Sequence, residues 1–373
     1  MPGAPTMIVF LGGFGASNVE RLVDRARVAA SFDAIEAFLE ACGGLGESPP
    51  PAFLVTDDPT LKCDLPGVTI DCDAGDFHFG RRLSDVIRRH RVESAIYVGG
   101  GSVPLFGPAE FADVASRLAN DGAVTNNQYS SDIVAFPVTD RVLAVIEGVQ
   151  RDNAVARVLK EDAGLDVQAL ERSLASQFDI DTPTDACVLA LTGDGGPRVQ
   201  AYVRSLDLDL NRYRAVLPLF VDQTKQLLVA GRVGTHSWSY LERETACRVR
   251  IFAEERGMEA DGRASNGSAR SLLGYHLEAV GLGRFFETLA ELGDAAFIDT
   301  RVLLAHKRID ASREDRFLSD LGGWQEIRDP FLRDFTRAAL EAPIPVLLGG
   351  HSLMSGGLMA LNEHAWKRCE ARD

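Results

Sequence analysis

The sequence has no long apolar segment, no paired-cysteine motif and no surplus of positive charge, and each absence excludes a class of protein. No apolar run approaches the roughly 20 residues that span a membrane. The start, MPGAPTMIVFLGG, has no basic residue before its apolar stretch, so it does not predict a signal peptide. We therefore expect a soluble protein of the cytoplasm, with no membrane partner.

The cysteines and the net charge exclude further classes of protein. Six cysteines stand at positions 42, 63, 72, 187, 247 and 369, and none forms Cys-x-x-Cys. This spacing predicts neither a zinc site nor a thioredoxin-like motif, and we expect free thiols in a reducing compartment. A formal net charge of −15 argues against nucleic acid as a partner, since phosphate backbones would be repelled.

The length and the charge distribution predict two domains. A chain of 373 residues is long for a single core. Residues 1–192 carry 15 Lys and Arg against 28 Asp and Glu, whereas residues 193–373 carry 24 against 26. The change coincides with TGDGGP at 192–197, a cluster typical of a linker. We therefore place the domain boundary between 192 and 193.

Short apolar runs alternate with helical segments in both halves. In the first half, the predicted strands are 7–13, 51–58, 94–101 and 131–137, and the predicted helices are 20–42, 79–90, 108–121, 152–164 and 167–177. In the second half, strands are predicted at 226–232, 247–255, 295–306 and 344–350, with helices at 235–246, 268–293 and 329–342. This alternation predicts an α/β domain with a mixed, mostly parallel sheet, followed by a second, smaller α/β domain.

Two glycine-rich loops follow predicted strands in the first half. Gly12, Gly13 and Gly15 come after the first strand, where glycine lets backbone N–H groups approach phosphate oxygens. The third glycine of a Rossmann fingerprint is missing, so a dinucleotide site is not predicted. Gly100 and Gly101 lie between a later strand and a helix. Either loop alone is also explained by a tight strand-to-helix turn.

The segment 178–185, FDIDTPTD, combines acids with a helix start. Asp179 and Asp181 lie two residues apart at the end of a short predicted strand, on the same side. Thr182 and Asp185 are typical of a helix cap, which does not require the two preceding acids. One or two carboxylates, completed by phosphate oxygens, are the ligands that Mg²⁺ prefers.

In this order, the three segments resemble the nucleotidyltransferase superfamily, whose fold is GT-A-like. It includes molybdenum-cofactor guanylyltransferases, 2-phospholactate guanylyltransferases, and sugar-phosphate uridylyl- and cytidylyltransferases. The resemblance covers about residues 7–190, and its closing segment is the most specific. It implies that an acceptor oxygen attacks the α-phosphorus of a nucleoside triphosphate (NTP) and that pyrophosphate leaves, with Mg²⁺ assisting. The implied nucleotide-binding residues are Leu11, Gly12, Gly13, Gly15, Ser17, Gly100 and Gly101, and the implied metal ligands are Asp181, Asp179 and Asp132.

The sequence departs from the family pattern at two positions. Ser102 stands where the family has a metal-binding aspartate, and Asn18 stands where it usually has arginine. Arg21, Arg25 or Arg27 could reach the phosphates instead, although such arginines often form only a solvated helix face. Arg21, Arg25 and Ser102 are the candidate catalytic residues. The departures leave open a nucleotide or nucleotide-sugar sensor that no longer transfers. A GT-A glycosyltransferase would need a central Asp-x-Asp loop, and no acid pair is well placed for one.

Two further segments are candidates for binding. Asn126, Asn127, Tyr129 and Ser130 form a polar stretch that could read a small-molecule acceptor, or could be an ordinary polar turn. The second half is expected to shape the acceptor site or an interface between copies of the chain. Its GGHSLMSGG segment (349–357) lacks the nucleophile elbow of a hydrolase. This segment is consistent with a second ligand pocket, built with Arg232, Glu254, Asp299 and Arg301, and equally with a packed turn.

Overall fold

The computed structural model describes residues 4–43, 51–72 and 75–371. Its chain divides into two units, the first made of Met1–Gly15, Asp24–Asp179 and Gly195–Tyr202, and the second of Ala16–Val23, Ile180–Asp194 and Val203–Asp373. Each unit takes segments from both sides of residue 192, and the predicted domain boundary there stays a prediction. No helix of the described residues has the length and apolar character needed to cross a membrane.

The first unit contains a seven-stranded sheet. Its strands are β1 (Thr6–Phe10), β2 (Ala52–Thr56), β3 (Val68–Cys72), β4 (Ser94–Gly99), β5 (Ala123–Thr125), β6 (Ile133–Pro137) and β7 (Val167–Ala169). They lie in the order β3-β2-β1-β4-β6-β5-β7, with β6 antiparallel to both neighbours and every other pair parallel. The predicted fold class, a mixed and mostly parallel α/β sheet, is confirmed.

Helices cover both faces of this sheet because successive strand residues point to opposite sides. The helices are α1 (Asn18–Cys42), α2 (Phe79–His90), α3 (Pro108–Asp121), α4 (Asp140–Ile146), α5 (Val155–Glu161) and α6 (Leu174–Gln177). Met7 of β1 belongs to a core with Phe38 of α1 and Phe111 of α3. Ile8 belongs to the opposite core with Leu83 of α2. Because helices cover both faces of the sheet, a ligand site is expected at the carboxyl ends of the strands.

The second unit contains a parallel sheet of four strands. These are β8 (Gln226–Gly231), β9 (Arg248–Ala253), β10 (Ala295–Asp299) and β11 (Val346–Gly349), in the order β11-β10-β8-β9. The remaining helices are α7 (Pro183–Thr192), α8 (Pro197–Arg204), α9 (Asn211–Phe220), α10 (Thr235–Glu244), α11 (Leu272–Leu292), α12 (Thr300–Lys307), α13 (Arg313–Leu321), α14 (Pro330–Leu340) and α15 (Leu358–Glu370). Most of α8, up to Tyr202, belongs to the first unit. Ile298 of β10 packs in one core with Phe286 of α11 and Phe335 of α14. The second α/β unit predicted from the sequence is therefore present.

Two segments differ from their predicted structure. Residues 167–177, predicted as helix, form β7 and the short α6, because β7 pairs with β5 and Leu170 N donates to Thr125 O at 2.8 Å. The strand predicted over 295–306 ends at Asp299, where α12 begins. There the Asp299 carboxylate accepts the N–H of Arg301 at 3.1 Å, which caps the helix inside an otherwise apolar run.

Candidate functional site

Two glycine loops meet at the carboxyl ends of β1 and β4, which are neighbouring strands of the first sheet. The N–H of Gly100 donates to Phe10 O at 2.7 Å. A Cβ at residue 100 would lie 2.7 Å from Leu11 Cδ1 and 2.8 Å from Phe10 O, closer than side chains pack, so glycine is required. The loop after β4 therefore lies directly against the loop after β1.

Arg27 of α1 fixes these two loops to each other. Its Nε donates to Gly100 O at 3.0 Å and its Nη2 to Gly12 O at 3.3 Å, while Nη1 forms an ion pair with Asp24 at 3.2 Å. Because its three nitrogens are engaged with the protein, we assign Arg27 to loop positioning.

The first glycine loop binds carboxylates through its backbone N–H groups. Gly13 N donates to Asp57 Oδ2 at 2.9 Å, and Gly15 N donates to Asp24 Oδ2 at 2.7 Å. Gly13 has φ 70°, and a Cβ on it would meet nothing within 4 Å. The loop therefore holds two carboxylates of the protein through its backbone, and its role at phosphate stays a prediction. In this structure its donors are occupied by side chains of the protein.

The polar residues that start α1 are engaged in capping it. Ser17, in the second unit, donates from its N–H at 3.0 Å and from its hydroxyl at 2.8 Å to Glu20 Oε2. Arg21 Nη2 donates to Asn18 Oδ1 at 2.5 Å. Arg25, in the first unit, is exposed. Roles for Ser17, Arg21 and Arg25 at phosphate stay predictions.

A polar cluster, formed by Ser102, Asp132, Asp152 and Asp179 of the first unit, lies at the end of β4. A Cβ on Gly99 would lie 2.9 Å from Ser102 Oγ and 3.6 Å from Asp152 Oδ2, so these two side chains converge. Asp132 is adjacent, since its carbonyl accepts the Gly99 N–H at 3.0 Å. Ser102 also forms an antiparallel β-bridge with Asp179. The backbone of two of the three predicted metal ligands, Asp132 and Asp179, therefore lies beside Ser102, and their metal-binding roles stay predictions.

Backbone strain marks the same turn. Val103, which follows Ser102 and is buried, has φ 45°. A β-branched residue rarely adopts this left-handed conformation, which costs about 1–3 kcal/mol and is concentrated at functional sites. Gly101 beside it has φ 87°, and its N–H donates to Ser31 Oγ at 3.3 Å. The turn is therefore held in one conformation from both ends.

Asp152 is a member of this cluster that the sequence did not reveal. Tyr97 OH donates to Asp152 Oδ2 at 3.1 Å, and Asn153 N donates to Oδ1 at 2.9 Å. Burial raises the pKa of Tyr97 well above its usual value, and the charges of Asp152 and Asp132 raise it further, so its hydroxyl remains a donor. In the sequence, Asp152 starts a predicted helix, where an acid is read as a cap.

Asn126 holds Asp132 in place. Its Nδ2 donates to Asp132 Oδ2 at 2.8 Å, and its Oδ1 accepts the N–H of Asp132 at 3.0 Å. Asn127 Oδ1 accepts the N–H of Tyr129 at 3.1 Å, which makes a polar turn. Tyr129 and Ser130 are exposed. The geometry makes Asn126 a positioning residue, and acceptor contacts by the four predicted residues stay predictions.

Asp181 lies in the second unit, at the start of α7. Its N–H donates to Asp185 Oδ2 at 3.0 Å, and that oxygen also accepts Thr182 N at 2.7 Å and Ser352 Oγ at 2.8 Å. Thr182 and Asp185 cap the helix, as predicted. Burial, followed by the charge of Asp181, raises the pKa of Asp185 to about 7. A metal-binding role for Asp181 stays a prediction.

The donor chemistry of the polar cluster fits a hard cation. Among the residues that the structure describes, no group of three or more His, Cys, Asp or Glu side chains could hold a metal ion. Mg²⁺ carried by an NTP needs only one or two carboxylates from the protein, because phosphate oxygens and water complete its shell. Asp152, whose Oδ2 lies near Ser102 Oγ, and the neighbouring Asp132 carry carboxylates of this type, and a metal-binding role for Asp132 stays a prediction.

Comparison with solved structures gives distant matches. No family model matches the sequence, and no curated protein matches it. The solved 4-diphosphocytidyl-2C-methyl-D-erythritol synthase from Anaerococcus prevotii is 11% identical, with 54% of this chain and 99% of that chain covered and a TM-score of 0.36. A cytidylyltransferase from Leptospira borgpetersenii is 14% identical, with coverages of 50% and 85% and a TM-score of 0.34.

A third solved structure, Rv0371c from Mycobacterium tuberculosis in complex with manganese, is 14% identical. It covers 50% of this chain and 96% of its own, with a TM-score of 0.33. All three TM-scores lie below 0.5, so these similarities assign neither substrate nor activity to this chain.

Proposed function

We propose that this chain is a nucleotidyltransferase of the superfamily that its motifs resemble. It transfers a nucleoside monophosphate from an NTP to a small phosphorylated acceptor and depends on Mg²⁺. The observation that carries the proposal is the convergence of the Ser102 and Asp152 side chains at the end of β4, with the backbone of Asp132 and two packed glycine loops beside them. Ligands of open α/β sheets bind at the carboxyl ends of strands, where this cluster lies.

The proposed reaction exchanges one phosphorus–oxygen bond for another. An oxygen of the acceptor phosphate bonds to the α-phosphorus, the bond to the α–β bridging oxygen breaks, and pyrophosphate leaves with that electron pair. Bound Mg²⁺ supplies neutralisation of the phosphate charge. Asp132 and Asp152 would hold it, and hydrogen bonds from Asn126 at 2.8 Å and Tyr97 at 3.1 Å orient these two carboxylates.

Although Ser102 itself has no carboxylate, another residue supplies one near this position. Asp152 Oδ2 reaches the end of β4 from the segment after α4, within 3.6 Å of the place where a Gly99 Cβ would stand. A carboxylate from another segment can therefore do the work of the aspartate that the family has at Ser102. This supports transfer over the loss of activity that the sequence departure suggests.

One observation favours a second function, nucleotide binding without transfer. The carboxylates of Asp57 and Asp24 already accept the N–H groups of Gly13 and Gly15. A triphosphate at these donors would have to displace two negative groups that also repel it. A sensor that binds a nucleotide or nucleotide sugar away from these donors would retain affinity and release no pyrophosphate.

Isothermal titration of ATP, GTP, CTP and UTP, each with and without Mg²⁺, tests both functions. For a transferase, one NTP binds only with Mg²⁺, and Asp132→Asn and Asp152→Asn each weaken that binding at least about tenfold, the loss of one charged ligand. Asp113→Asn, on the exposed surface of α3, is the matched control and should bind as the wild type. Metal-independent binding identifies the sensor, and binding of none of the four NTPs refutes a nucleotide site.

A further inference from the structure

The carboxylate of Asp57 occupies a backbone donor of the first glycine loop. Strand β2 ends at Thr56 and pairs with β1, so the residues that follow the two strands are neighbours. The N–H of Gly13 donates to Asp57 Oδ2 at 2.9 Å, across 44 positions of the chain. A negative group of the protein therefore lies at a donor that the proposed function assigns to phosphate.

The loop leaves room for this carboxylate at position 12. A Cβ on Gly12 would lie 2.9 Å from Asp57 Oδ1, 3.1 Å from its Cγ and 3.3 Å from its Oδ2. These distances are shorter than an ordinary van der Waals contact, so a side chain at position 12 would push the carboxylate away from the loop. The glycine therefore lets Asp57 lie directly against the backbone.

Asp24, the other carboxylate on this loop, is held differently. Its side chain is only 5% exposed and forms an ion pair with Arg27 at 3.2 Å, while its Oδ2 accepts the Gly15 N–H at 2.7 Å. Asp57 is exposed, and in the part of the chain that the structure describes it forms no ion pair. Asp24 is therefore a fixed part of the loop with a compensated charge. Asp57 can rotate into solvent at the cost of one hydrogen bond.

The charge of Asp57 opposes any anion that approaches Gly13 N. Two like charges about 4 Å apart near a protein surface repel strongly enough to weaken an affinity by more than about tenfold. This repulsion grows with the charge of the anion, and Mg²⁺ bound to phosphate oxygens cancels part of that charge. Asp57 therefore disfavours a metal-free phosphate chain more than a chain that carries Mg²⁺.

We infer that Asp57 is a specificity-determining residue of the first glycine loop, which excludes metal-free phosphate chains and is displaced from Gly13 N by a chain that carries Mg²⁺. The inference rests on the proposed function, because it takes the loop to bind phosphate. It also goes beyond that function. Asp132 and Asp152 are proposed to hold the ion, whereas Asp57 makes binding depend on Mg²⁺ without touching it.

Titration calorimetry of the full chain tests this inference, with inorganic pyrophosphate and the four NTPs as probes, each in EDTA and in excess Mg²⁺ at equal ionic strength. In EDTA, Asp57→Asn should bind at least about tenfold more tightly than the wild type, because the amide keeps the shape and loses the charge. In Mg²⁺ the gain should be smaller. Asp58→Asn is the matched control, since it removes the same charge from a side chain whose Oδ1 accepts the Thr60 N–H at 2.8 Å. It should bind as the wild type.

A gain of affinity separates this role from a structural one, because a variant with a damaged loop would bind more weakly. Asp57→Ala, which also removes the acceptor of the Gly13 N–H, should bind at least as tightly as Asp57→Asn. If one NTP binds with Mg²⁺ but the Asp57 variants show unchanged or weaker affinity, the inference is overturned and the proposed function stands. The same holds if the gain is equal in EDTA and in Mg²⁺, or is equalled by Asp58→Asn. Binding of no probe by any variant refutes the nucleotide site and the inference together.

Discussion

Replacing Gly100 with alanine tests the packing of the two glycine loops, on which the nucleotide site depends. The added methyl would lie 2.7 Å from Leu11 Cδ1 and 2.8 Å from Phe10 O. The leucine can rotate, but Phe10 O is backbone and accepts the Gly100 N–H at 2.7 Å, so relief requires the loops to separate and that bond to break. Overpacking costs about 1–3 kcal/mol and a lost hydrogen bond about 1 kcal/mol, so we expect a destabilisation of roughly 2–4 kcal/mol.

The assay is urea unfolding followed by circular dichroism, because the three tryptophans, at 238, 324 and 366, all lie in the second unit and would not report on the first. Gly148→Ala is the matched control in the same unit, since a Cβ there would make only an ordinary contact, 3.7 Å from Val145 O. We expect it to change stability by less than about 0.5 kcal/mol. If Gly100→Ala is as stable as this control, the loops are not packed as described.

Three further predictions concern charge and burial. Asp185 has a pKa of about 7 in the folded protein against 3.8 as its ordinary value. The folded state therefore binds this proton more tightly, and stability falls as pH rises from about 4 to 7. Asp185→Asn should reduce that fall, measured by urea midpoints in EDTA. Asp320→Asn should lower the free energy of unfolding by about 3–5 kcal/mol, because buried Arg301 would lose the carboxylate that pairs with it. Glu161→Gln, at an exposed ion pair, should lower it by at most about 0.5 kcal/mol. In thiol labelling read by mass spectrometry, exposed Cys72 should react in the native protein. Cys187, whose pKa burial raises to about 12, should react only on unfolding, and early labelling of Cys187 would contradict its burial.

Local patterns in the sequence were sufficient for much of the fold. Helix α3 spans Pro108–Asp121 as predicted, because proline at its first position and Glu110, which accepts the Gly107 N–H at 2.9 Å, define its start. The cap formed by Thr182 and Asp185 is also local. Alternating strands and helices indicated the α/β class, since each periodicity depends on residues within a few positions of one another.

The contacts that could not be predicted from the sequence depend on the order of the strands in the sheet. Asp152 meets Ser102, 50 residues earlier in the chain, only because β4 pairs with β6 and Tyr97 holds the carboxylate. Arg27, a candidate to reach the phosphates, instead joins the two glycine loops by donating hydrogen bonds to their backbone carbonyls.

The sequence by itself determined the α/β class, the glycine loops and the boundaries of helices such as α2 and α3, because backbone propensity, capping and hydrophobic periodicity act over short separations. The tertiary structure alone decided that the Asp152 carboxylate lies near Ser102 and that Arg27 joins the two glycine loops. Those outcomes depend on which strands become neighbours, and therefore on packing and hydrogen bonds between segments far apart in the chain.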